Sequence, residues 1–133
     1  MTDWAARCAP TLEEFDALAR AAFGGLPAAF RALCGDLLIH VADFAEDDIL
    51  DDMEIDDPFD LTGLYEGVDL TSRSFDAPSG PNHVHLYRQP ILAEWIDNCE
   101  TTLGELVRHV LVHEIGHHFG LSDDDMRRIE DGH

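Results

Sequence analysis

Lysine is missing altogether: all eight basic residues are arginine, against 28 Asp and Glu, for a formal net charge of −20. That balance argues against nucleic acid and anionic membrane surfaces as partners, because both gain affinity from neutralisation by Lys and Arg. It suits cationic partners, metal ions among them. Long apolar runs are missing too. No stretch approaches the roughly 18 residues of a membrane-spanning helix, and Met1-Thr2-Asp3-Trp4 has neither the basic region nor the apolar region of a secretory signal. Cysteine is scarce, odd in number and widely spaced (Cys8, Cys34, Cys99). This excludes a disulfide framework and a CxxC metal site, and reduced thiols in the cytoplasm are the expectation. The 133 residues suffice for one core and are expected to form a single domain, 1–133. An Arg-only basic set and high acidity fit either a GC-rich genome or a salt-rich cytoplasm.

The hydrophobic pattern gives a coarse order of elements. Thr11-Leu12-Glu13-Glu14 is a capping box, followed by Leu12, Phe15, Leu18 and Ala22 at helical spacing and stopped by Gly24-Gly25. Pro27 suits the first turn of a short helix through Phe30 and Leu33. Leu37 to Phe44 reads as a buried strand. From Glu46 to Asp60 nine of fifteen residues are acidic. That segment is expected as a solvated loop, since the Asp-x-Asx-x-Asx-Gly spacing of a calcium loop is missing. Leu61 to Leu70 reads as a short extended segment and Pro78-Ser79-Gly80-Pro81 as a turn. His83 to Leu92 alternates as a half-buried strand, with Val84 and Leu86 on one side and His83, His85 and Tyr87 on the other. Pro90 predicts an edge position for it.

The last helix carries the chemistry. Thr102-Leu103-Gly104-Glu105 caps it, Gly120 stops it, and apolar side chains (Leu103, Leu106, Val107, Val110, Leu111, Ile115, Phe119) cover most of its circumference. Only a stripe with Glu105, Arg108, His109 and Gly116 is left for solvent. Two histidines and a glutamate inside such a helix need partners. His113 and His117, four apart, project from one face and can share an ion. Neutral imidazole is a good zinc ligand. Glu114, about 100° round the helix, stands beside the ion as the acceptor of a proton from water. In a shuffled chain of this composition an HExxH arises by chance roughly 3% of the time. Adding Gly120 and Asp123 at their spacings lowers this below about 0.1%. Gly120 can turn the chain so that a residue just beyond returns to the metal, and Asp123 is the natural third ligand. Asp124 and Asp125 stay open as substitutes. His109 and His118 point away from this face and are read as surface or supporting residues.

The run HEIGHHFGLSD resembles the HExxHxxGxxD motif of zincin metallopeptidases, and its turn glycine resembles the metzincin subset. The wider chain is similar to the small bacterial zincin-like family, the mini-zincins, through Leu26-Pro27 to Leu33, Leu37–Ala42, Gly63-Leu64-Tyr65-Glu66-Gly67-Val68, His85-Leu86-Tyr87-Arg88 and the terminal motif. The resemblance implies an α+β, minimal zincin-like fold. A small mixed sheet packs on N-terminal helices and on a C-terminal active-site helix, and an edge strand borders a cleft where an extended peptide can pair. It carries over His113, His117 and Asp123 as zinc ligands and Glu114 as general base. Two features depart from metzincins: Asp123 stands where those proteins usually have His, and Met126 comes too soon to form their Met-turn.

Three functions follow. The first is a zinc-dependent peptidase acting on a peptide or protein substrate, with Tyr65, Tyr87, His83 or His85 as candidate oxyanion stabilisers. The second is a non-catalytic zinc-binding or regulatory protein whose site is closed by a fourth ligand, from His83 or His85. The third, a metal-dependent ribonuclease, is opposed by Glu114 and by the net charge of −20. A monomer or small homo-oligomer is expected.

Overall fold

The computed structural model describes residues 4–66 and 82–131. Among them are six α-helices and a three-stranded mixed sheet, an α+β architecture. Helix α1 spans Leu12–Gly24 and opens on the expected capping box: Thr11 Oγ1 accepts from the Glu14 amide and Glu14 Oε1 from the Thr11 amide, both at 3.1 Å. Helix α2 (Ala28–Cys34) follows Pro27, and strand β1 is Leu37–Ala42. Strand β2 is Gly63–Glu66 and β3 is Asn82–Tyr87. Of the extended segment expected at 61–70, residues 67–70 lie outside the described residues, as does the turn expected at Pro78–Pro81.

β3 is the central strand, parallel to β1 and antiparallel to β2. The edge position expected from Pro90 is therefore corrected, and so is the strand's end. The chain leaves the sheet after Tyr87 and enters α4, Arg88–Asp97, with Pro90 in its first turn. A proline lacks the N–H that a ladder needs. In a first helical turn that N–H would have no partner within the helix anyway. Arg88 anchors the corner, its Nε donating to Asp43 Oδ1 at 2.7 Å and its Nη1 to the Pro10 carbonyl at 2.8 Å.

The acidic segment is likewise more than a loop. Asp47–Asp52 forms α3, and Pro58–Asp60 a 3-10 turn. Leu50 and its neighbours Ile49 and Ile55 pack with Ala45, Leu61, Leu64 and Tyr87. Its carboxylates face water while its apolar residues cover one end of the sheet's outer face.

The main core lies between the sheet's inner face (Ile39, Val84, Leu86), α1 (Phe15, Ala19) and α5, Leu103–His118 (Leu106, Val107, Val110, Leu111). A second cluster joins Leu26, Phe30 and Cys34 to Val112, Ile115 and Met126. Met126 belongs to a helix not expected from the sequence pattern, α6 (Asp123–Glu130), which begins on a capping box between Ser122 and Asp125. The reversal before it is a Schellman turn: the Leu121 amide donates to Gly116 O at 2.9 Å and the Gly120 amide to His117 O at 3.1 Å. Gly120, at φ +71°, takes the left-handed conformation that the turn requires. α6 thus runs back along α5 and covers the Gly116 end of the stripe expected to face solvent, while Glu105 and His109 stay exposed. Gly116 is buried there, and a Cβ on it would lie 2.5 Å from Met126 Sδ.

Met126 is fully buried at this crossing. Met126→Ala is expected to cost about 2–5 kcal/mol of stability by opening a cavity. Equilibrium denaturation of the metal-free protein checks it.

Candidate metal centre

The HExxH run occupies the last turns of α5, just before the Schellman reversal. His113 and Glu114 are half-buried and His117 is exposed. The His113 and His117 rings stand 5.7 Å apart, centre to centre, and perpendicular at 89°. Glu114 lies against the sheet's edge strand β2. A Cβ on Gly63 would come within 2.9 Å of Val110 Cγ1 and 3.2 Å of both Glu114 Cγ and the His85 carbonyl oxygen. Glycine at 63 is what lets the strand approach Glu114 so closely.

The electrostatics separate the two roles. Burial raises the Glu114 carboxyl above its ordinary 4.5, and the charge of His117 pulls it partly back. Burial, then His109, holds the His113 imidazole below its ordinary 6.5, with Glu130 opposing. At neutral pH His113 is thus an uncharged imidazole with a free lone pair, and Glu114 is a more basic carboxylate than one in water. An imidazole pair with carboxylates beside it fits a divalent ion, zinc in particular.

Glu130 is the residue that sequence reasoning missed. It sits at the end of α6, where one oxygen pairs with His109 Nδ1 and the other lies 3.5 Å from His113 Nε2. Among the described residues, His109, His113 and Glu130 form the group whose donor atoms all lie within 4.8 Å of one another. His117 and Asp123 are not in it. Asp123 begins α6 and is exposed. His109 is exposed, as expected of a residue outside the shared face, but it is held by Glu130. The available signal was Ser122 with Asp125 three residues on, which marks a helix start. A helix after a Schellman turn returns its last turn to the body of α5.

The four oxyanion candidates separate. Tyr65 rests on α5, its ring 4.3 Å from that of His118 and 6.3 Å from that of Phe119. Its buried hydroxyl has no hydrogen-bond partner among the described residues, and burial pushes its pKa up to about 12. The Tyr87 hydroxyl is also buried without a partner there and is pushed up to about 12, first by burial and then by the charges of Glu66, Glu46 and Glu114. His83 and His85 alternate with Val84 and Leu86, so they leave β3 on the face turned away from α5.

Two imidazoles and a carboxylate thus stand on one buried helix, laid against the edge of a small mixed sheet. The family model for zincin-like metallopeptidases matches residues 34–133, and the chain belongs to that family. The match takes in every strand and the helices from α3 onward. None of the curated proteins compared with the chain matches it. Among the described residues, no helix is long and apolar enough to cross a membrane.

The raised Glu114 carboxyl has a consequence for stability. A carboxyl whose folded pKa lies above its unfolded value contributes stability below the unfolded value, and loses it as pH rises through the folded one. In metal-free protein, charged Glu114 is therefore unfavourable at neutral pH. Glu114→Gln is expected to raise the thermal midpoint at pH 7–8 in the presence of a chelator. The gain should vanish below about pH 4.5, where the carboxyl is neutral in both states. Melting curves across that range check it.

Proposed function

We propose that this chain is a zinc-dependent peptidase, with zinc held by His113, His117 and Asp123 and with Glu114 as general base. The observation that carries the reading is the placement of Glu114: half-buried, made more basic by that burial, next to His113 and influenced by His117, and pressed against Gly63 of β2. When bound, zinc supplies Lewis acidity toward water and toward the substrate carbonyl. Glu114 takes the proton of the attacking water and delivers it to the departing amine. His113, its pKa held down by burial, enters as a neutral imidazole. The substrate is an extended peptide that pairs with the edge of β2 left open among the described residues, since β3 is flanked on both sides. Tyr65, on that strand and against α5, is the oxyanion donor that suits this arrangement best.

The group of His109, His113 and Glu130 supports a second reading, a non-catalytic zinc centre held by those three side chains. A centre of that kind would keep its metal in His117→Ala and would cut no peptide.

Peptide-library digestion with metal analysis tests both. Glu114→Gln is expected to keep zinc and to lose roughly 100- to 10,000-fold in hydrolysis. His117→Ala and Asp123→Ala are expected to lose zinc, and Glu130→Gln to retain it. Wild-type turnover by Glu114→Gln would remove Glu114 as the base. Zinc loss in Glu130→Gln with full retention in Asp123→Ala would overturn the ligand assignment.

A further inference from the structure

His83-x-His85 is not absorbed by the centre on α5, because both side chains leave β3 on the opposite face of the sheet. There they meet a third imidazole. β1 and β3 are parallel with His40 in register with His85, so His40 emerges on the same outer face. The ring centres of His40 and His85 are 4.8 Å apart, those of His40 and His83 5.1 Å, and all three rings are stacked within 24°. His40 Nε2 and His83 Nδ1 approach to 2.9 Å. His85 Nε2 is buried with no hydrogen-bond partner among the described residues, and the nearest acidic oxygen, Glu66 Oε1, is 3.7 Å away.

The geometry points to a second divalent-cation site, separate from α5, in which His40, His83 and His85 bind a late first-row ion of the zinc type and Glu66 stands as a further oxygen donor. A His-x-His pair on one strand and a histidine in register on the next place three imidazoles on one face at strand spacing. Three imidazoles are a complete protein donor set for zinc. Two nitrogens bound at about 2.0–2.1 Å with tetrahedral angles stand about 3.3 Å apart. The 2.9 Å pair of His40 and His83 therefore needs to open by only about half an ångström. The donor atoms of all three do not lie within 4.8 Å of one another, so binding requires the buried His85 nitrogen to swing toward the other two by rotation of its ring about the Cβ–Cγ bond. Imidazole donors select zinc, nickel or copper over calcium and magnesium. The site does not depend on whether the α5 centre is catalytic.

Zinc titration against a competing chelator tests the inference, with histidine ring proton signals followed by NMR. A His113→Ala/His117→Ala double variant is expected to bind one equivalent of Zn2+ and to shift the ring signals of His40, His83 and His85. Adding His40→Gln or His83→Asn should weaken that binding by at least about tenfold. In the otherwise wild-type chain, His40→Gln should lower the stoichiometry by one equivalent and leave the α5 centre loaded, which keeps the test valid if the double variant does not fold. The inference is overturned if Zn2+ binding in the double variant is absent, or if it persists unchanged with His40→Gln and His83→Asn combined.

Discussion

A helix that is apolar around most of its circumference has to be covered on nearly every side, and the fold is organised by that demand from α5. The sheet and α1 take one side, α2 takes another, and α6 closes the third through Met126 on Gly116. Polar side chains on such a helix cannot rely on bulk water. His113, Glu114 and His109 therefore acquire neighbours, and those neighbours set their chemistry: burial makes Glu114 a stronger base and keeps His113 uncharged. The protonation chemistry of these groups is a consequence of how completely this helix is enclosed.

The enclosure depends on two close approaches that only glycine allows. Gly63 brings the edge strand against Val110 and Glu114, and Gly116 brings α6 against the turn between the two motif histidines. Gly120 then sets the direction of α6 by reversing the chain immediately after α5. Membership of the zincin-like metallopeptidase family accounts for the motif on α5. The histidines of β1 and β3 lie on the far side of the sheet and belong to a separate chemistry.

Much of the local structure was legible because its causes are local. The capping box at Thr11, the stop at Gly120, the alternation in β3, and the shared face of His113 and His117 all depend on residues within a few positions of one another. Pro90 misled for a local reason too. Proline disfavours a central strand and is acceptable in the first turn of a helix, and the edge-strand reading overlooked the second possibility. The acidic segment was read by its charge, although Ile49, Leu50 and Ile55 had the spacing to pack.

By itself the sequence determined that α5 would be a buried helix bearing two imidazoles and a carboxylate. Spacing along a helix fixes direction to within a fraction of a turn. Tertiary structure alone decided that Glu130 meets His109 and His113, that Asp123 stands exposed at the head of α6, that β2 is the edge beside Glu114, and that His40 joins His83 and His85. Each of those depends on how one element is placed against another. That placement follows from the joint packing of the apolar faces, which is a property of the whole chain and cannot be read from any one segment.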